Sequence, residues 1–148
     1  FDGTDWSEAL DIRWAPFTIA VPPNHAPVVT ASATLADHVP VVTTSDINIM
    51  SGQNLTASSL FMVSDADNDT ITKYQFWDTT TDLLSGHFVV NGAPQAARTL
   101  IEIPASDLSQ VSFLTGSAGD MLQVRAFDGT AWSAADSAQW SPFHIAVS

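Results

Sequence analysis

An antiparallel β-sandwich is the fold class this sequence predicts, and three observations carry the prediction. No stretch keeps apolar residues at helical spacing through three turns. Short β-prone runs follow one another instead, broken by Gly, Pro, Asn, Asp and Ser. The run 120–127 alternates, with Leu122, Val124 and Ala126 on one face and Gln123 and Arg125 on the other. That pattern belongs to an antiparallel strand with one face in a core.

Taken in order, the expected strands are 27–33, 39–43, 45–50, 70–78, 86–91, 98–103, 110–115, 120–127 and 138–147. In 70–78, Thr72, Tyr74 and Phe76 alternate with Lys73, Gln75 and Trp77. Thr56–Phe61 and Ser106–Gln110 each suit a single helical turn, with Ser106 as N-cap of the second. Asp128-Gly129 is a tight-turn signal, because Gly tolerates positive φ. It would reverse the strand 120–127 into 138–147. Trp132 and Trp140 are expected to close one end of the sandwich.

The turn belongs to a repeat. FDGTDWSEALDIRWAPFTIAV (1–21) aligns without a gap with FDGTAWSAADSAQWSPFHIAV (127–147), and 13 of 21 positions are identical. Two Trp and two Phe in register make this an internal repeat with a period of 126 residues. The chain therefore reads as the tail of one module, 1–22, followed by a complete module, 23–148. The prolines of PPNHAPVV (22–29) mark the linker between them. The expected source is a longer array, with any targeting signal elsewhere in it. The tail 1–22 is expected to dock on a neighbouring copy or on its own second module. Head-to-tail docking of that kind is heterologous and can propagate into a filament.

Composition narrows the chemistry. Sixteen acids, 14 of them Asp, face four Lys and Arg, for a net charge of −12. Such a surface repels phosphate backbones and anionic lipid, so nucleic acid and membranes are poor partners. No apolar run approaches the roughly 20 residues that span a bilayer. The absence of Cys excludes disulfides, zinc-thiolate sites and thiol catalysis. At 45% apolar residues the chain can still build a core.

One stretch carries chemistry. SDADNDTIT (64–72) places Asp65, Asp67 and Asp69 at alternate positions. Three neighbouring carboxylates repel unless a cation or proton intervenes. Calcium takes six to eight oxygen ligands at about 2.3–2.6 Å, so carbonyls, Asn or water would complete the shell. An EF-hand is excluded: counted from Asp65, its glycine and glutamate positions hold Thr70 and Phe76. A solvated turn is the competing reading.

Together, NHAPVV (24–29) and DADNDTIT (65–72) resemble the cadherin-like and Ig-like tandem repeats of large bacterial surface proteins. QFWDTTTDLLSGHFVVNG (75–92) and VRAFDGTAWS (124–133) are similar to repeats of RTX-type secreted adhesins. The resemblance implies an Ig-like or cadherin-like sandwich on the cell surface, non-enzymatic and adhesive, with calcium as its cofactor. It implicates Asp65, Asp67 and Asp69, and Asn24 at the linker. The chain departs from the cadherin linker, since His25 stands where an acid is expected, and a site within the module is favoured.

His25, His38, His87 and His144 are scattered and form no HxH or HExxH spacing. No GxSxG elbow is present. Two expectations of different class follow. One is a structural and adhesive module stiffened by calcium, with neighbouring copies as partners. The other is a carbohydrate-binding module of a secreted enzyme, contacting surface glycans through exposed aromatics.

Overall fold

A computed structural model describes residues 36–133 and 139–148. The chain divides into two units, Phe1–Ala33 and Thr34–Ser148, and every described residue lies in the second. The tail 1–22, the boundary at 22–23, the strand expected at 27–33 and Asn24 all lie outside the described residues.

The described residues form an all-β sandwich. Its strands are β1 (Val41–Thr44), β2 (Ile47–Ile49), β3 (Asn54–Thr56), β4 (Phe61–Ser64), β5 (Lys73–Asp78) and β6 (His87–Val90), then β7 (Ala93–Pro94), β8 (Ile101–Pro104), β9 (Val111–Leu114), β10 (Asp120–Phe127) and β11 (Ser141–Val147). One sheet has the order β2-β11-β10-β5-β8 and a second the order β3-β9-β6-β7, while β1 and β4 form a separate pair. Every pairing is antiparallel except that of β2 with β11, which is parallel and sets Ile47 against Ile145 and Ile49 against Val147. The Ser148 amide extends this ladder to the Ile49 carbonyl at 3.0 Å. Thr44 and Ser141 hydroxyls tie β1 to β11 through the Pro142 and Val42 carbonyls.

Alternation fills the core as expected. Leu122, Val124 and Ala126 are fully buried, and Tyr74 and Phe76 face the same interior from β5. A chain of rings crosses between the layers: Phe61 to Phe76 at 5.9 Å, Phe76 to Phe88 at 5.3 Å, Phe88 to Phe113 at 5.1 Å. Offset and edge-on rings at these separations add to the stabilisation from buried area.

Several elements differ from expectation. The helical turn expected at Thr56–Phe61 is a 3-10 turn over Ala57–Ser59, flanked by β3 and β4. In β4 Phe61 and Val63 turn inward and Met62 and Ser64 outward, a period of two hidden inside a continuous apolar run. The second 3-10 turn spans Ala105–Gln110 and its N-cap is Pro104, not Ser106. Ser106 lies inside the turn, and its hydroxyl bonds the Asp107 carboxylate. Asn91 and Gly92, both at positive φ, make the two-residue turn that joins β6 to β7. Arg98 also has positive φ (58°), so β8 starts at Ile101, later than the expected 98.

The Asp128-Gly129 turn forms, with Gly129 at φ 111° and Phe127 bridging to Trp132. The tryptophans take a different place from the one expected. The Arg125 guanidinium carbon lies 4.4 Å from the Trp132 ring centroid and 4.5 Å from that of Trp140. Arg125 points away from the core, so the tryptophans pack on the outer face of the five-stranded sheet, where a cation holds their rings.

Candidate metal centre

The aspartate loop runs from the end of β4 to the start of β5. Asp65 organises it: one carboxylate oxygen, Oδ1, accepts the amides of Asp67 at 2.8 Å and Asp69 at 3.1 Å. The Asn68 amide reaches the Asp65 carbonyl at 3.3 Å, with Asn68 itself at φ 61°. This is the Asx-type local bonding that Asp side chains offer a turn. The other oxygen, Asp65 Oδ2, is buried and has no hydrogen-bond partner.

Segment 36–40 packs across the loop. The His38 amide donates to Asp67 Oδ2 at 2.7 Å, and its imidazole Nδ1 stands 3.0 Å from Asp67 Oδ1. Those contacts, the backbone amide first, hold the Asp67 carboxyl below the usual carboxylate range. They also place Asp37 beside the loop. Carboxylate oxygens of Asp37, Asp67 and Asp69 all lie within 4.8 Å of one another.

A fifth carboxylate comes from the FDGT turn. The Thr72 amide donates to the Phe127 carbonyl at 2.7 Å, and its hydroxyl to the same oxygen at 3.1 Å. The loop and the turn after β10 are thereby joined. Asp128 Oδ1 accepts the amides of Thr130 and Ala131 at 2.6 and 2.7 Å. Asp128 is 8% exposed, and its Oδ2 is buried without a partner. Asp37 registers the whole group: though exposed, its carboxyl is pushed up by the desolvation its neighbours impose, then by the charges of Asp128, Asp69, Asp67 and Asp65.

The arrangement suits a hard cation. Asp65 and Asp128 share one device, in which backbone amides fix one oxygen and leave the other buried and unpaired. A buried carboxylate oxygen without a donor is costly unless a proton or cation meets it. Hydrogen bonds that orient a ligand from behind are the usual support of a metal site. Among the described residues no Lys or Arg forms an ion pair with these five carboxylates. The close group offers carboxylate oxygens and no thiolate, and the one imidazole nearby, His38, is engaged with Asp67; hard oxygen ligands of this kind suit calcium or magnesium.

Of the residues singled out in the sequence, Asp67 and Asp69 stand in the close group and Asp65 beside it as the loop organiser. Asn24 lies outside the described residues. Sequence reasoning missed Asp37, Asp128 and the positioning role of His38. Asp37 and His38 sit about 30 residues before the loop with no motif of their own. Asp128 had a sufficient reason to exist as a turn residue, and its second oxygen has no counterpart in a linear pattern. No protein-family model, characterised protein or solved structure matches this chain.

A separate feature lies on the outer face of the five-stranded sheet. Trp77, Leu100, Gln123, Arg125 and Trp140 line a shallow hollow there. No helix of the described residues is long and apolar enough to cross a membrane.

Proposed function

We propose that this chain is a non-enzymatic structural and adhesive repeat module of an extracellular bacterial surface protein, stabilised by calcium bound at Asp37, Asp65, Asp67, Asp69 and Asp128. The observation that carries the proposal is the pair of buried, unpartnered oxygens, Asp65 Oδ2 and Asp128 Oδ2, beside three clustered carboxylates. The repeat of FDGTxWS at 1 and 127 supports a serial arrangement. Neighbouring copies of the module are then its partners, met head to tail.

Calcium acts here by mass action: an ion that binds the folded state alone stabilises it by about 2.7 kcal/mol at a hundredfold excess over Kd. The test is thermal melting in calcium and in chelator, with calorimetric titration. Calcium is expected to raise Tm in the unaltered protein and to raise it less in Asp67→Ala. Equal melting temperatures with calcium and with chelator would sink the proposal.

The hollow between Trp77 and Trp140 supports a second reading, a carbohydrate-binding face that contacts surface glycans. Aromatic faces beside a cation and an amide offer stacking and hydrogen bonds to a sugar. Titration with soluble glycans, followed by tryptophan fluorescence, separates the two. Quenching that Trp77→Ala removes supports the glycan reading.

A further inference from the structure

The carboxylate pattern of the aspartate loop recurs at the opposite end of the same two strands. Asp128 follows the last residue of β10, and Lys73, the first residue of β5, pairs with Phe127. Asp120 is the first residue of β10 and Asp78 the last of β5. Asp78 lies opposite Leu122, so Asp120 is its diagonal neighbour on the inner face of the sheet. Both side chains are buried, at 3% and 4% exposure.

Each is built like Asp65 and Asp128. Asp78 Oδ1 accepts the Thr80 amide at 2.8 Å, while Asp78 Oδ2 is buried without a partner. Asp120 Oδ2 accepts the Gly86 amide at 3.0 Å, while Asp120 Oδ1 is buried without a partner. The surrounding backbone is fixed. Thr79 bonds the Met121 carbonyl through its amide and its hydroxyl, and the Met121 amide donates to the Thr80 hydroxyl. The Arg98 amide holds the Asp78 carbonyl at 2.8 Å. No salt bridge among the described residues reaches either carboxylate.

We propose that Asp78 and Asp120 form a second site for a hard divalent cation of the calcium class, at the end of the sandwich opposite the aspartate loop. The two unpaired oxygens are its protein anchors. The hydroxyls of Thr80 and Ser85, backbone carbonyls and water are the oxygen donors at hand to complete a shell. Burial, and after it the Asp120 charge, push the Asp78 carboxyl up to about 6; burial also raises that of Asp120, against the Gly86 and Ser85 hydrogen bonds and the His87 charge, which lower it. The competing occupant is a shared proton, which needs no metal.

This inference does not depend on the site at the aspartate loop, and calcium titration of the full chain separates the two. The unaltered protein is expected to bind two ions per chain, and Asp78→Asn and Asp120→Asn one each. Asp67→Ala is expected to keep the ion at the second site. Both Asn variants preserve the acceptor of the backbone amide and remove a buried charge. In chelator they should therefore melt no lower than the unaltered protein, which checks that they fold. In calcium they should show a smaller rise in Tm. Ion counts unchanged by both Asn substitutions would overturn the inference, as would a single ion that Asp67→Ala abolishes. A single ion lost in Asp78→Asn but kept in Asp67→Ala would uphold it and overturn the loop site.

Discussion

Thr72 and Phe127, 55 residues apart in the chain, are joined by two hydrogen bonds onto one carbonyl oxygen. This contact brings the Asp128 turn against the loop of Asp65, Asp67 and Asp69. It gives Asp128 two roles that substitutions can pull apart. Asp128→Asn keeps an oxygen for the Thr130 and Ala131 amides and removes the charge. Asp128→Ala removes both. In chelator, Asn should be near neutral, and Ala should cost about 1–3 kcal/mol for the orphaned amides. In calcium, both should lose part of the ion-dependent gain in Tm. If Asn binds calcium as well as Asp does, Asp128 is a turn residue alone.

Gly86 has no room for a side chain. A Cβ there would press on the Leu114 carbonyl and on the Phe113 ring. Its amide also holds Asp120. Gly86→Ala is expected to part β6 from β9 at a cost of about 1–3 kcal/mol, typical of overpacking. Urea denaturation measures it, and an unchanged midpoint would show that the strands give way freely.

Phe113 is fully buried and meets Phe88 edge-on at 5.1 Å. Phe113→Ala should destabilise by about 3–5 kcal/mol, because a ring-sized cavity opens between layers that cannot collapse onto it. The same denaturation experiment reads the loss. A cost below 1 kcal/mol would mean that the ring chain does not span the layers.

Tyr74 is the single tyrosine of the chain and is 6% exposed. Burial disfavours its phenolate and raises its pKa. The folded value thus lies above the unfolded one, near 10. The contribution to stability is full below the unfolded value and is lost as pH rises through the folded one. Absorbance titration of the phenolate follows this one group. A midpoint at the ordinary value in folded protein would show that the ring is open to solvent.

Arg125 lies within cation–π distance of both the Trp132 and Trp140 rings and donates through Nε to Gln75 at 2.7 Å. Lysine keeps the charge but not the planar face or the fork of donors. Arg125→Lys should cost about 0.5–1 kcal/mol and shift tryptophan emission to longer wavelength as the rings gain water. Unchanged emission would argue against these contacts.

Much of the fold was legible because it rests on a period of two. Leu122, Val124 and Ala126 announce their buried face, and Tyr74 and Phe76 do the same. What stayed hidden was contact between distant segments. FMVS (61–64) reads as a continuous apolar run, and only the sandwich shows that Met62 faces outward. The parallel pairing of Ile47–Ile49 with Ile145–Val147 has no local signature at all. The candidate site divides in the same way. DADND shows its own spacing, whereas Asp37 and Asp128 reach it through His38 and Thr72. Asp78 and Asp120 stand alone in sequence, and only strand pairing makes them neighbours.

The parallel seam between β2 and β11 also sets how these two strands would respond to tension. Tension carried through these two strands pulls β2 from its N-terminal side and β11 from its C-terminal side. Those sides lie at opposite ends of the seam. The load therefore runs across the hydrogen bonds, which must fail together, whereas a hairpin pulled from its open end peels one rung at a time. A short ladder of three residue pairs thus becomes a mechanical clamp.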